Sequence, residues 1–136
     1  MTTNDEKYEL LKTDTKITPD GKTLYRIVAL KDFSVFQKGD KGGYIENEKN
    51  LSQYGNAWVF GNARVFGNAW VSGNARVFGN ASVSGDARVS GNARVFGNAW
   101  VFGNAWVSGD ARVFGNARVY DNARVFGNAR VTKEVD

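Results

Sequence analysis

The sequence predicts an all-β protein whose main part is a parallel β-helix, a solenoid of short strands wound into stacked coils. From Gly55 to residue 132 the pattern Gly-Asn-Ala-x-Val-x runs through thirteen consecutive copies without an insertion, with Asp in place of Asn at 86 and 110 and in place of Gly at 121. The residues at the two variable positions x recur every eighteen residues, which is three copies. Self-similarity on this scale is typical of solenoids, in which each repeat packs only on its neighbours. We therefore expect a triangular solenoid with three six-residue repeats, or hexads, in each coil.

The run of hexads begins before Gly55. Weaker copies at residues 43–48 and 49–54 place Gly43-Tyr44-Ile45 and Asn50-Leu51 in the Gly-Asn-Ala register, which extends the run to fifteen hexads. Residues 43–132 then make about five coils. At about 4.8 Å between hydrogen-bonded strands, the stack is roughly 24 Å tall.

Each hexad position has a predicted role. Side chains alternate along a strand, so the constant apolar pair, Ala and Val, is expected inside and the two variable residues outside. Gly tolerates unusual backbone angles and Asn tolerates the left-handed region, so Gly-Asn is expected at the corners. Corner Asn side chains in successive coils are expected to hydrogen-bond to one another in ladders.

The segment before the repeats predicts a small β-rich cap. Residues 8–11 and 24–30 are predicted strands around the turn signal Thr18-Pro19-Asp20-Gly21, and residues 38–43 form a second predicted loop. Residues 1–6 are a polar end. We divide the chain into a cap at 1–42, the β-helix at 43–132 and a short charged tail at 133–136.

Composition excludes more chemistry than it suggests. The chain contains no Cys and no His, which removes disulfides, thiolate nucleophiles, the usual general base and the commonest zinc ligand. Asp86, Asp110 and Asp121 are scattered over the repeat, so we expect no metal site and no cofactor. The apolar runs are too short for a membrane span or a signal peptide, so we expect a cytoplasmic protein with no membrane partner. The net charge of +4 arises entirely after residue 54.

The outward residues predict three faces with distinct columns. The first face places an Arg column beside a Phe column, and four outward Phe residues are more apolar surface than a soluble protein leaves exposed without a reason. We take the following as candidate ligand or interface residues on this face: Trp58, Phe60, Arg76, Phe78, Arg94, Phe96, Arg112, Phe114 and Arg130. The candidates on the second face are Phe66, Trp100, Phe102, Arg118 and Tyr120. The third face carries Trp70, Arg88, Trp106 and Arg124 beside Ser72, Ser90, Ser108 and Phe126.

The run Gly-[Asn/Asp]-Ala-x-Val-x resembles the hexapeptide repeat of left-handed β-helices, the fold of many acyltransferases and of γ-class carbonic anhydrases. The resemblance implies a left-handed coil. Residues 31–53, with Lys41-Gly42-Gly43-Tyr44-Ile45 among them, resemble a group of bacterial and phage-encoded proteins that are labelled transferase-like or polymer-forming. The His residues that those acyltransferases and carbonic anhydrases use have no counterpart in this chain.

Three functional hypotheses follow. The first is a non-enzymatic structural or binding module that self-associates, as a dimer or trimer, through its aromatic columns. The alternative is capture of a phosphorylated ligand, either a nucleotide signal or nucleic acid, by the Arg and aromatic columns. In a phage-encoded protein such capture would blunt a host defence, a step that rests on the resemblance. A hexapeptide acyltransferase is a distant third, because no His is present.

Overall fold

The computed structural model describes residues 6–136 and shows an all-β parallel solenoid of about five turns. The coil is left-handed and has eighteen residues, which confirms the fold class expected from the sequence. The one helical element among these residues is a short 3-10 turn, Glu48–Asn50. Of the polar end predicted for residues 1–6, residues 1–5 lie outside the described part of the chain.

Three strands precede the regular hexads: β1 (Tyr8–Ile17), β2 (Thr23–Ala29) and β3 (Lys41–Ile45). Each of the thirteen hexads then contributes one two-residue strand, formed by its fourth and fifth residues. These strands are β4 (Trp58–Val59), β5 (Arg64–Val65), β6 (Trp70–Val71), β7 (Arg76–Val77), β8 (Ser82–Val83), β9 (Arg88–Val89), β10 (Arg94–Val95), β11 (Trp100–Val101), β12 (Trp106–Val107), β13 (Arg112–Val113), β14 (Arg118–Val119), β15 (Arg124–Val125) and β16 (Arg130–Val131). A final strand, β17 (Glu134–Val135), pairs with β14 and lies in the segment predicted as a tail.

The strands form three sheets, one on each side of the prism. The first face consists of β4, β7, β10, β13 and β16, and the third of β6, β9, β12 and β15. The second face consists of β3, β5, β8, β11, β14 and β17, extended by β1 and β2. Partners in the regular hexads are eighteen residues apart, as Arg94 and Arg112 are. The three predicted faces, and the eighteen-residue spacing along each of them, are therefore confirmed.

The interior is filled by the Ala and Val of the hexads, which are fully buried from Ala57 to Val119. Backbone hydrogen bonds connect each coil to the next in a parallel ladder. The N–H of Arg94 donates to the carbonyl of Ala111 at 3.0 Å, and the N–H of Phe96 donates to the carbonyl of Val113 at 2.9 Å. Strands of only two residues can form these sheets because every coil repeats the same hydrogen bonds to the next coil.

Gly-Asn forms the corners, as predicted. Gly97 has φ of 68°, a region that favours glycine, and a Cβ built there would lie 2.9 Å from the backbone nitrogen of Gly115. The Asn ladders are also present: Asn74 Nδ2 donates to Asn92 Oδ1 at 3.1 Å, and Asn92 donates to Asp110 at 3.2 Å. A carboxylate has no N–H to donate onward, so Asp ends a ladder.

The cap is a hairpin that prolongs the sheet of the second face. Strand β2 pairs antiparallel with β1 and with β3, and β3 continues into the solenoid by pairing in parallel with β5. Strand β1 runs to Ile17, well beyond the predicted residues 8–11. Residues 41–43, predicted as loop, belong to β3. This strand lies between β2 and β5 and pairs with both. Strand β3 also crosses the expected cap boundary after residue 42.

The first coil has a different register from the one predicted. Tyr44 pairs with Arg64 and Leu51 with Val71, so these partners are twenty residues apart instead of eighteen. The Gly-Asn-Ala register assigned to the two weak hexads is therefore wrong by two positions. The two extra residues, at 53 and 54, lie at the corner just before the regular repeat begins.

Candidate binding surfaces

Trp58 heads the first-face column, but it is completely buried. The rings of Tyr8, Phe33 and Phe36 surround it at centroid distances of 6.2, 5.1 and 6.0 Å. The expected outward exposure of Trp58 is thus wrong, because the loop that follows β2 folds over this strand. Its Nε1 has no hydrogen-bond partner among the described residues, and a ligand or partner cannot reach it without moving the loop.

The Phe column of the first face is a stacked ladder within the chain. Successive rings of Phe60, Phe78, Phe96 and Phe114 are 4.8, 4.9 and 5.1 Å apart and nearly parallel, with interplanar angles of 7°, 4° and 5°. Phe36 of the cap packs on Phe60 at 5.3 Å, with its ring tilted by 57° instead of stacked. All four column residues are half-buried, and each stacks on at least one other ring of the column.

The Arg column beside that ladder is only partly engaged. Arg76 lies over the ring of Phe36 at 5.4 Å and donates to Ser34 Oγ at 3.2 Å. Arg94, Arg112 and Arg130 are exposed and form no ion pair with any described residue. Together with corner Asn residues and Asp110 they line an open groove of about 340 Å³. The surface of this groove is mainly polar.

On the second face, one hexad interrupts both outward columns. Residues 79–84 carry Ser82 where the column has Arg64 and Trp100, and Ser84 where it has Phe66 and Phe102. Below the interruption the predicted candidates do meet: Phe102 stacks on Tyr120 at 5.2 Å, and Arg118 lies over Trp100 at 5.5 Å. At the interruption there is a cleft of about 360 Å³.

The cap completes this cleft. Thr18, Pro19 and Asp20, from the turn between β1 and β2, form the wall that faces the solenoid. A second groove of about 440 Å³ adjoins it through the shared residues Arg64, Ser82 and Trp100, and Lys16 lines its margin. The cleft is mainly apolar, whereas the adjoining groove is mainly polar.

A polar network fixes the hairpin above the second face. Arg26 Nε donates to Asp14 Oδ2 at 2.6 Å, Arg26 Nη2 donates to the hydroxyl of Tyr44 at 2.7 Å, and that hydroxyl donates to Asp14 Oδ1 at 3.1 Å. The hydrogen bond from Arg26 is the main reason why the pKa of Asp14 is below its usual value. Lys16 lies over the ring of Tyr44 at 4.7 Å, which places its ammonium near the groove.

The third face exposes more aromatic side chains than either of the other two faces. Trp70, Trp106 and Phe126 are 45%, 43% and 66% exposed, whereas on the second face Trp100 alone is comparably exposed, at 48%. The two Trp residues of the third face alternate with Arg88 and Arg124, whose guanidinium groups each lie 5.4 Å from the ring centre of Trp106. The residues of this column are not among the candidates predicted from the sequence, which lie on the first and second faces.

Two classes of site are not found in the described part of the chain. Residues 6–136 contain no group of three or more acidic, His or Cys residues that would hold a metal ion. The same residues include no helix long and apolar enough to cross a membrane. The candidate surfaces are therefore the polar groove of the first face, the cleft of the second face with the groove that adjoins it, and the aromatic column of the third face.

Fold and surfaces together define a β-solenoid repeat protein with a β-hairpin cap. The chain matches the YdcK beta solenoid repeat at residues 57–73, 69–85, 87–103, 93–109, 105–121, 111–124 and 117–132. These segments cover more than half of the 136 residues, and the chain belongs to this repeat family. No curated protein matches the chain. The resemblance to hexapeptide-repeat enzymes and to transferase-like proteins stays a prediction.

Proposed function

We propose that this β-solenoid is a non-catalytic module that self-associates as a dimer through its third face. The observation that supports the proposal is the exposure of Trp70 and Trp106 on an otherwise uncovered sheet. Trp and Arg are the residue types most enriched in the cores of protein interfaces. The third face supplies both, in strict alternation.

The order of this column suits a two-fold axis. From the first strand to the last, the column runs Trp70, Arg88, Trp106, Arg124. A two-fold axis that lies in the plane of the interface, at right angles to the column, turns the second copy face to face with the first and reverses its column. Trp70 then meets Arg124 of the second copy, and Arg88 meets Trp106. Every contact then pairs a guanidinium with an indole ring, and no Arg faces another Arg.

The other faces suit this role less well. The Phe rings of the first face already stack on one another. The column beside them consists of Arg residues, which would repel the same column of a second copy. The cap hairpin stands over part of the second face. The proposal thus keeps the predicted self-association but moves the interface from the first face to the third.

The absence of catalysis is part of the proposal and rests on the sequence. The chain has no His and no Cys, so an acyltransferase mechanism that needs a His base has no residue to perform it. Acetyl transfer by the purified protein would overturn this part.

The experiment compares masses by sedimentation velocity for the wild type and for Trp70→Arg with Trp106→Arg. Arg is compatible with these positions because β9 and β15 carry it in the same column. The expected result is a wild-type dimer and a folded monomeric variant. Two controls are expected to stay dimeric: Trp100→Arg, which makes the same change on the second face, and Phe78→Ser with Phe96→Ser on the first.

Three results would contradict the proposal. The first is a wild type that is monomeric at micromolar concentration. The second is a double Trp variant that keeps the wild-type mass. The third is dissociation of the Phe variant alone, which would return the interface to the first face, where the sequence placed it.

A further inference from the structure

We propose that the interrupted hexad of the second face is a binding site for a small nucleotide. The planar base would insert between Phe66 and Phe102, in the place that Ser84 leaves open. The phosphate would lie in the adjoining groove beside Arg64. This inference is independent of the proposed dimer, which uses a different face.

The gap has the width that a planar ring needs. Phe66 and Phe102 occupy the same hexad position two coils apart, and two strand spacings amount to about 10 Å. In the ladder of the first face, consecutive rings are 4.8 to 5.1 Å apart. A ring placed midway between Phe66 and Phe102 would therefore stack on both at the distance that this solenoid already uses. Ser84 is too small to occupy that space itself.

The walls of the cleft suit a base with polar edges. Trp100 stands edge-on to Phe102 at 5.8 Å, with an interplanar angle of 79°, and closes one side. Pro19 closes another, and the cleft of about 360 Å³ is within the usual size range of small-molecule sites. The hydroxyls of Ser82 and Ser84 are available to hydrogen-bond to the edges of the base. The carboxylate of Asp20 already accepts a hydrogen bond from Thr18, and its remaining lone pairs can accept another.

The charges around the cleft favour an anionic group. The guanidinium of Arg64 forms no hydrogen bond or ion pair with any described residue and lines both cavities. Lys16 lines the adjoining groove, and Lys22 lies 5.8 Å from the ring centre of Phe66. Asp20 is the one acidic residue in the lining of either cavity, and Lys22 is 3.9 Å from it. The net charge of the residues at the mouth of the groove is therefore positive, and a positive site favours binding of a phosphate group.

A second occupant would also fit the gap: an aromatic side chain from another copy of the chain. The positive charge beside the gap favours the nucleotide. Arg64, Lys16 and Lys22 could bind its phosphate, whereas an aromatic side chain carries no negative charge for them to bind. The experiment below separates the two occupants by measuring mass as well as binding.

The probes are the 5′-monophosphates of adenosine, guanosine, cytidine and uridine, with the corresponding nucleosides and inorganic phosphate, titrated by calorimetry. The informative variant is Ser84→Phe, which fills the open rung with the residue that Phe66 and Phe102 already place in this column. It is expected to fold at least as stably as the wild type, so a loss of binding is not a loss of structure. The matched control is Ser108→Phe, the same change at the same hexad position of the third face.

We expect at least one monophosphate to bind the wild type, and Ser84→Phe to weaken it by about tenfold or more, the usual effect of losing base stacking. Ser108→Phe should leave binding unchanged. Arg64→Ser, which copies Ser82, should weaken the monophosphate by about tenfold and leave the nucleoside unaffected.

The proposal is wrong if none of the four monophosphates binds at millimolar concentration, or if Ser84→Phe binds as tightly as the wild type. Equal affinity for nucleoside and monophosphate would also overturn it, because Arg64 would then have no role. If no nucleotide binds and Ser84→Phe lowers the oligomeric mass, the gap instead receives an aromatic side chain of a second copy.

Discussion

The Nζ of Lys7 donates a hydrogen bond to the carbonyl oxygen of Ala57 at 2.7 Å and a longer one to that of Gly55 at 3.4 Å. Within the stack, the corresponding carbonyls of lower coils accept from backbone N–H groups of the coil above, as Ala93 does from Arg76 at 3.0 Å. The first regular strand has no coil above it on this face. A single buried ammonium therefore replaces two backbone donors.

Asn50 has the same role on the third face. Its Nδ2 donates to the carbonyls of Gly67 at 3.2 Å and Ala69 at 2.9 Å, which are the first and third residues of their hexad. On the second face the backbone of β3 does this instead, with Tyr44 N–H donating to Ala63 at 3.0 Å. Two side chains and one strand thus close the N-terminal end of the ladder.

Lys7→Met should destabilise the protein by about 2 kcal/mol, because it leaves the carbonyl of Ala57 buried without a donor. Met keeps the length and most of the packing of the Lys stem. The free energy of unfolding would be measured by urea denaturation. Lys38→Met is the control, since that side chain is exposed, and it should change the free energy by less than about 0.5 kcal/mol. Equal effects of the two substitutions would show that Lys7 does not cap the stack.

Stability should depend on pH through Lys7 and its neighbour. Burial, with a smaller effect of Lys31, lowers the pKa of Lys7 to about 8, whereas its value in the unfolded chain is near 10.5. Between these values the unfolded chain binds more protons, so the free energy of unfolding rises with pH. Burial also raises the pKa of Tyr8 above its usual 10.0, so above that pH the folded chain holds the extra proton and stability falls.

The wild type should therefore gain stability between about pH 8 and pH 10 and lose it at higher pH. Urea unfolding at a series of pH values would show the rise and the fall. Lys7→Met should abolish the rise and keep the fall. A wild-type curve that is flat or descending from pH 8 to pH 10 would contradict the lowered pKa of Lys7.

Gly97→Ala and Gly115→Ala form a matched pair that separates backbone conformation from close packing. Both residues have positive φ, of 68° and 65°, so each substitution should cost about 1 kcal/mol in conformational strain. A Cβ on Gly97 would also lie 2.9 Å from a backbone nitrogen of the next coil, whereas a Cβ on Gly115 meets nothing within 4 Å. Thermal and urea unfolding should show an additional loss of about 2 kcal/mol for Gly97→Ala.

The chain already contains one test of this idea. Asp121 stands at a corner glycine position with φ of 56°, and it lies in the same lowest coil as Gly115 and Gly127, where a Cβ has open space. If Gly97→Ala and Gly115→Ala proved equally destabilising, conformation alone would account for the glycines, and the close approach of the coils would not matter.

The repeat period predicted the sheets, the inward residues and the Asn ladders, because each follows from counting in steps of six and eighteen. The period gave the wrong pairing where the number of residues per coil changes. The two extra residues at 53 and 54 shift the pairing of the first coil, and no pattern in residues 43–54 indicates this shift. Trp58 lies at an outward position by every count, yet the aromatic loop that contains Phe33 and Phe36 covers it. Loops outside the repeat have no periodic sequence, so the period does not predict where they pack on the solenoid.

The candidate sites show the same division. The interruption at Ser82 and Ser84 is visible in the sequence as the one hexad with Ser at both outward positions. That it forms a cleft depends on the cap turn at Pro19, which lies far away in the sequence and supplies the opposite wall. A break in a column becomes a candidate site only when another part of the chain encloses it.

Phe96→Ser should reveal what the ring ladder contributes to stability. Phe96 stacks on Phe78 at 4.9 Å and on Phe114 at 5.1 Å, so the substitution removes two ring pairs and should cost about 2 kcal/mol in the free energy of unfolding. Ser is compatible with the backbone at this hexad position, as Ser90 shows. Phe126→Ser is the control: Phe126 is 66% exposed and makes no ring contact within the described residues.

The control should change stability by less than about 0.5 kcal/mol. Two outcomes distinguish a structural ladder from a surface held for a partner. If Phe96→Ser costs the expected amount and leaves the oligomeric mass unchanged, the Phe column serves to bind coil to coil. If stability is unaffected, stacking between solvent-flanked rings contributes nothing net. The exposed edges of the first face would then need a binding partner to explain them, which is the role that the sequence first assigned to this column.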